Sequence, residues 1–162
     1  MIGVDALDEV LRVIENLNRA RVDYVVVGGV ALNLHGLVRA TEDLDIFIRP
    51  DEENIERLRT ALGAVWEDPD IDQITAEDLC GDYPAVRYGP PDGSIYLDIM
   101  TRLGETTRYA DLIVDEKDAH GVRVRVASPR SLYQMKKDTV RPIDRSDALA
   151  LSAAFDLGRE EG

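Results

Sequence analysis

Sulfur and imidazole are scarce in this chain: it has one cysteine, Cys80, and two well-separated histidines, His35 and His120. An internal disulfide is excluded, and so is a structural zinc site of the usual four-ligand kind. Any metal must be held by oxygen. Apolar runs are short, and none approaches the roughly 18 consecutive residues of a membrane span. The first twenty residues carry acids where a signal peptide needs a basic start, so the sequence predicts a cytoplasmic protein that does not enter a membrane. Glycine (12) and proline (7) are too few for a fibrous or low-complexity chain, and apolar residues at 44% are enough for a core. The 162 residues predict a single domain over 1–162, with a core over about 1–127 and C-terminal helices over about 128–158.

Basic residues are also few. Nineteen Lys and Arg stand against 32 Asp and Glu, a net charge of −13 that would repel nucleic acid if spread evenly. The imbalance lies wholly in residues 1–100; residues 101–162 balance to zero. Within 119–145, Arg123, Arg125, Arg130, Lys136, Lys137, Arg141 and Arg145 face only Asp138 and Asp144, which predicts a local basic face on an acidic protein.

Along the chain, Leu7, Val10, Leu11, Ile14 and Leu17 repeat at helical spacing over Val4–Ala20, with Asp5 placed to cap the start. Residues 23–27 (DYVVV) form a β-branched strand ending at Gly28-Gly29, after which Val30, Ala31, Leu34 and Leu37 predict a helix closing near Gly36. Residues 44–48 alternate as a strand, and Pro50-Asp51 opens a helix through Leu62. Residues 67–82, with seven acids and no base, read as a solvated excursion. Strands are expected at 84–88 and 94–100 about a turn at 89–93, then at 113–114 and 122–126 joined by the polar segment 115–121. Ser128-Pro129 starts a helix over 131–140, and Arg141-Pro142 separates it from another over 143–157, with the last residues frayed. The fold class is thus α/β or α+β: a mixed sheet flanked by helices, ending in a helical pair.

The segment that carries chemistry runs from Val25 to Ile48. A Gly-Gly turn between strand and helix lets backbone N–H groups approach a ligand, and the helix start offers unpaired donors to phosphate. Asp43 and Asp45, two apart on an alternating strand, project from one face while Leu44, Ile46 and Ile48 face the core. Two such carboxylates repel unless a cation joins them, and hard oxygens are the ligands Mg²⁺ takes alongside substrate phosphates. Asp98 interrupts another apolar strand, 95–100; if the two strands are neighbours, three carboxylates converge, enough to hold metal and deprotonate a hydroxyl.

The order Gly28-Gly29, thirteen residues, Asp43-Leu44-Asp45, and later Asp98 resembles the DNA polymerase β-like nucleotidyltransferase superfamily, with Gly-Gly in place of its more usual Gly-Ser. The string from Gly28 to Asp45, with His35-Gly36, Arg39 and Thr41 at their places, resembles the small bacterial nucleotidyltransferases of the abortive-infection (AbiEii-type) toxins. Residues 128–136 and the Arg141-x-x-Asp144-x-x-Asp147 run resemble the same group. The resemblance implies a minimal nucleotidyltransferase fold and transfer of a nucleotide from an NTP such as ATP, with Mg²⁺ or Mn²⁺, to an acceptor hydroxyl. It implies that Gly28 and Gly29 cradle the triphosphate, that Asp43, Asp45 and Asp98 bind metal, and that Asp98 activates the acceptor. Lys136 would reach the triphosphate, and Arg39 and Thr41 would contact phosphate or brace Asp43. Chemistry of this kind needs positioning and charge neutralisation more than covalent help from the protein.

Three functions follow. The toxin resemblance implies an RNA acceptor, in particular a tRNA end, and a cognate antitoxin or toxin partner. An alternative acceptor is a small molecule such as a cationic antibiotic, with the acids of 67–82 supplying its pocket, or a partner protein. A third reading is a nucleotide-binding or antitoxin-like partner without turnover. Among other residues, His35 reads as capping or packing, His120 as a turn residue and Cys80 as unreactive in its acidic surroundings. Tyr24 and Trp66 read as core, Tyr88 and Tyr133 stay open, and Tyr96 shares the face of Asp98 and could line a pocket there. Lys136, Lys137 and Arg141 could equally be a helix surface paired with Asp138 and Asp144.

Overall fold

The computed structural model describes residues 4–91, 93, 95–104, 107–136 and 142–157, apart from the side chains of 4, 5, 142 and 143. The expected turn at Asp92, the strand start at Ser94, the cap at Asp5, the frayed C-terminus, and Lys137, Asp138 and Arg141 lie outside what is described. Among the described residues, no helix is long and apolar enough to cross a membrane.

Helix α1 (Val4–Arg19) buries Val10, Val13, Ile14 and Leu17 on one face, as its spacing requires. It leads into β1 (Tyr24–Val27), whose four residues are all buried, so this strand is central. Helix α2 (Gly28–Leu34) starts on the glycines themselves, earlier than expected, and is followed by β2 (Asp43–Ile48) and α3 (Glu52–Val65). Asp51 caps α3 by accepting from the Asn54 N–H at 2.8 Å. The acidic stretch is not simply solvated. It forms a 3₁₀ turn (Pro69–Gln73) and a short helix α4 (Ala76–Leu79) that bury Ile71, Ile74 and Leu79 and pack on α3. Those apolar residues, spaced among the acids, decide its course.

Strands β3 (Ala85–Tyr88) and β4 (Tyr96–Met100) are followed by a small separate hairpin, β5 (Arg102–Leu103) and β6 (Thr107–Arg108), and a 3₁₀ turn at Tyr109–Asp111. The polar segment expected as a connection is itself a strand, β7 (Val114–Ala119), paired tightly with β8 (Val122–Ala127). His120 and Gly121 both adopt positive φ (51° and 84°), the two-residue turn that matches strand twist. The pairing carries polar residues because β7 is an edge strand with one face in water. Helices α5 (Pro129–Lys136) and α6 (Pro142–Phe155) pack on each other.

The main sheet has the order β3-β4-β2-β1-β8-β7. It is mixed: β1 runs antiparallel to β2 and parallel to β8, and β2 runs parallel to β4. Most of its buried apolar residues belong to one core cluster with α1, α2 and α3. One fully buried polar side chain ties the turns on either side of β1 and β2. Asn54 Oδ1 accepts from the Asp23 N–H at 2.7 Å, while its Nδ2 donates to the carbonyls of Asp23 and Arg49, each at 3.0 Å. Asn54→Ala takes the side-chain acceptor from the Asp23 N–H, while the carbonyls of Asp23 and Arg49 still accept from the N–H groups of Arg49 and Asp51, and it is expected to cost about 2 kcal/mol by urea denaturation; a loss below about 0.5 kcal/mol contradicts this role.

Candidate active site

The site lies where the middle strands of the sheet emerge. Asp43 and Asp45 share a face of β2 because side chains alternate along a strand, and Leu44 and Ile46, pointing the other way, are fully buried. The parallel register of β2 and β4 sets Asp98 directly beside Asp45, and Tyr96 beside Asp43. Three carboxylates therefore meet on one face. Across β1, Val27 pairs with Asp45, so the chain turns into α2 at the carboxylates themselves.

That turn requires glycine. Gly28 has φ +70°, and a Cβ there would sit 1.9 Å from Asp45 Oδ2. A Cβ on Gly29 would sit 2.8 Å from Thr41 Cβ. Thr41 in turn braces the strand start, its Oγ1 donating to the Asp43 carbonyl at 3.0 Å and accepting from the Asp43 N–H at 3.3 Å. Of the two roles open to Thr41 in the sequence, bracing is the one its contacts display.

The C-terminal helices reach the site by ion pairs. Lys136 Nζ donates to Asp144 at 3.0 Å and to Asp147 at 3.1 Å, and Arg39 Nε donates to Asp147 at 3.2 Å. Lys136, Asp144 and Asp147 are largely buried, with side chains no more than 14% exposed. Breaking one partner of such a cluster leaves an uncompensated buried charge. Lys136 is thus paired with acids, as the surface reading had it, yet turned inward.

Two cavities meet at the carboxylates. A polar one of about 540 Å³ is lined by Gly28, Gly29, Arg39, Thr41, Asp43 and Asp45, among others. A larger, mostly apolar one of about 970 Å³ runs beyond Asp98 between the sheet and α5, past Ala85, Met100, Leu103, Leu132 and Met135. Arg87, Lys136 and Asp144 line both. None of residues 67–82 lines either, so the acids of that segment supply no pocket here. Tyr96, 51% exposed, lines neither cavity; it lies beneath Arg87 instead. Tyr24, Trp66 and Tyr88 are buried, and Tyr133 packs against the core. His35 caps α2, and its Nε2–H donates to the Ala127 carbonyl at 2.8 Å.

The predicted basic face is broken up. Register places Arg123 opposite Asp118 and Arg125 opposite Glu116, and the Arg125 side chain donates to the Tyr24 carbonyl. With Lys136 turned inward, the described part of 119–145 offers no continuous cationic stripe. Sequence reasoning passed over Arg87, which sits on β3 in register with Asp98 and contacts two of the carboxylates. Its only signal was an arginine alternating with apolar residues in a short strand.

The fold is that of the nucleotidyltransferases. It is similar to a nucleotidyltransferase-like antigenic protein of Paracoccidioides brasiliensis at 17% identity and TM-score 0.55, covering 94% of this chain and 78% of that one. A Thermotoga maritima protein provisionally described as a nucleotidyltransferase matches at 19% and 0.54, covering 95% and 96%. ANT(2″)-Ia, in a complex with adenylyl-2″-tobramycin, matches at 16% and 0.54, covering 96% and 91%. No match was found among curated proteins. Residues 13–147 match the model of the nucleotidyl transferase AbiEii toxin of type IV toxin–antitoxin systems, and the chain belongs to that family. Membership makes it a transferase and implies a nucleotide substrate and an antitoxin partner.

Crowding leaves a mark on Asp45. Burial, then its hydrogen bond to Asp98 and the charges of Asp98 and Asp43, push its carboxyl up to about 7, against the opposing pull of Lys136. The folded state holds this proton more tightly than the unfolded chain, whose Asp titrates near about 4. Stability is therefore full below that value and is lost as pH rises towards 7. In a chelator, Asp45→Asn is expected to melt above the wild type at pH 8, with the gap closing by pH 5. A variant that melts lower at pH 8 contradicts this account.

Proposed function

We propose that the chain transfers a nucleoside monophosphate from an NTP to the end of an RNA, using a divalent metal held by Asp43, Asp45 and Asp98. The observation that carries this reading is the β2–β4 register, which aligns Asp45 with Asp98 and leaves Asp43 on the same face. The donor set fits the metal: three hard-oxygen carboxylates are crowded enough that burial and the neighbouring acids push the Asp45 carboxyl up to about 7, a repulsion that a cation would relieve. Among the described residues no three acids stand close enough together to hold a metal as they are, so the carboxylates of Asp43, Asp45 and Asp98 would have to draw in around it. When bound, Mg²⁺ or Mn²⁺ would supply charge neutralisation for the reacting phosphate.

The remaining roles belong to the chain. Gly28 and Gly29, free of side chains, let backbone amides approach the triphosphate in the polar cavity. Lys136, supported by Asp144 and Asp147, and Arg39 add positive charge on the same side. Asp98 stands on the far side of Asp45, at the mouth of the larger cavity, where it takes the proton of the acceptor hydroxyl. The new bond joins the acceptor oxygen to the α-phosphorus, the bond to the β-phosphate oxygen breaks, and pyrophosphate leaves with its electron pair.

The lining of the larger cavity supports an RNA end over a cationic antibiotic. Besides Asp45 and Asp98 its one acid is Asp144, which is already paired with Lys136, and Arg87 stands beside the carboxylates. That arginine would repel a polycation and attract the phosphate beside an RNA hydroxyl. The arginines of β8, set opposite acids in register, and the net charge of −13 confine contact to that end, so affinity should depend only shallowly on salt.

Incubating the protein and Mg²⁺ with each α-labelled NTP and a bacterial lysate tests this directly. Label is expected in RNA and absent with Asp43→Asn or Asp45→Asn, a loss of at least about a hundredfold given the electrostatic demands of phosphoryl transfer. Label in small molecules or protein would replace the acceptor. Nucleotide binding with no transfer would favour a binding module.

A further inference from the structure

Arg87 makes contacts that fold stability does not call for. It lies on edge strand β3, in register with Asp98. Its guanidinium stands 3.1 Å from Asp43 Oδ1 and 3.8 Å from Asp98 Oδ1, bridging the two outer carboxylates of the cluster. Its Cζ lies 4.5 Å from the centre of the Tyr96 ring, and Tyr96 is the β4 partner of Asp43. That ring rests against the backbone of Gly89, where an added Cβ would come within 2.8 Å of it. Gly89, Tyr96 and Arg87 thus form a shelf along the open side of the carboxylates.

The Arg87 side chain is 55% exposed, and ion pairs at that exposure contribute little to stability. A cation–π contact of the same exposure holds position more than it adds energy. The other two cations of the polar cavity differ: Arg39 and Lys136 are committed to Asp144 and Asp147. Arg87 is therefore positioned at low cost on the oxygens that a metal would need. A guanidinium and a divalent ion cannot use the same lone pairs of Asp43, and their charges repel at this separation.

Resting on the reading that these carboxylates take a divalent metal, we propose that Arg87 is the resident counter-cation of Asp43 and Asp98, which the metal displaces. Tyr96 keeps the displaced guanidinium beside the cluster, so that exchange of the two cations is short-ranged and reversible. Arg87 is a positioning residue in this scheme. It keeps the nucleotide-free carboxylates neutralised and sets how much metal the site requires.

The test is Mn²⁺ binding to the nucleotide-free protein, followed by loss of the free-ion EPR signal. Arg87→Ala is expected to bind Mn²⁺ about three- to tenfold more tightly than the wild type, the scale of two exposed ion pairs. The gain should shrink as salt rises. Arg87→Lys, which keeps the charge, should stay near the wild type, and Tyr96→Leu should tighten binding by a smaller factor. The Mg²⁺ requirement for turnover should fall with Arg87→Ala by the same factor as the Mn²⁺ dissociation constant. Arg87→Gln repeats the measurement should alanine unfold the edge strand. Affinity unchanged or weakened in a folded Arg87→Ala or Arg87→Gln overturns the proposal while Asp45→Asn still loses Mn²⁺. A wild type that takes up no Mn²⁺, or an Asp45→Asn that binds as well as the wild type, overturns the metal reading and this inference with it.

Discussion

Mutual repulsion among Asp43, Asp45 and Asp98 is the constraint around which this structure is arranged. Strand alternation puts the first two on one face, and parallel pairing with β4 brings the third alongside. Crowded carboxylates with a raised pKa in a cleft are a mark of functional sites. The surroundings answer it piece by piece: a hydrogen bond between Asp45 and Asp98, Arg87 on the outer side, and Lys136 from α5 on the inner side. Glycine at position 28 follows from the same crowding, because any side chain would collide with the Asp45 carboxylate.

The second consequence is architectural. A turn that must be bare cannot supply cations of its own, so positive charge arrives from elements distant in sequence. Arg39 comes from the segment before β2, Lys136 from α5, and both grip Asp147 on α6. The same buried pairs that fasten the helical pair to the sheet thereby line the polar cavity. Stability and function are coupled here, since loosening the C-terminal helices would move the cations as well.

Much of this was legible in the sequence. The β-branched run before Gly28-Gly29, the alternation of Asp43 and Asp45 against Leu44 and Ile46, and the isolated Asp98 are each weak signals alone; their order along the chain pointed to a carboxylate cluster, and the β2–β4 register brings it together. Other features depended on pairings that periodicity does not report. Residues 115–119 look like a polar loop, and only an edge position, wet on one side, allows them to be a strand. Ile71, Ile74 and Leu79 were hidden among seven acids, yet they fix the course of that segment. The arginines of 119–145 suggested a cationic surface until register set acids opposite them. Arg87 was invisible for the same reason: its meaning lies in which strand stands beside it.

The most direct test of the account is an anomalous-scattering map of crystals grown with Mn²⁺ and a non-hydrolysable NTP. The account predicts Mn²⁺ among the carboxylates of Asp43, Asp45 and Asp98, with the Arg87 guanidinium withdrawn from Asp43 and the triphosphate against Gly28 and Gly29. Mn²⁺ bound elsewhere, or nucleotide seated in the polar cavity with Arg87 still on Asp43 and no metal beside it, would contradict the account.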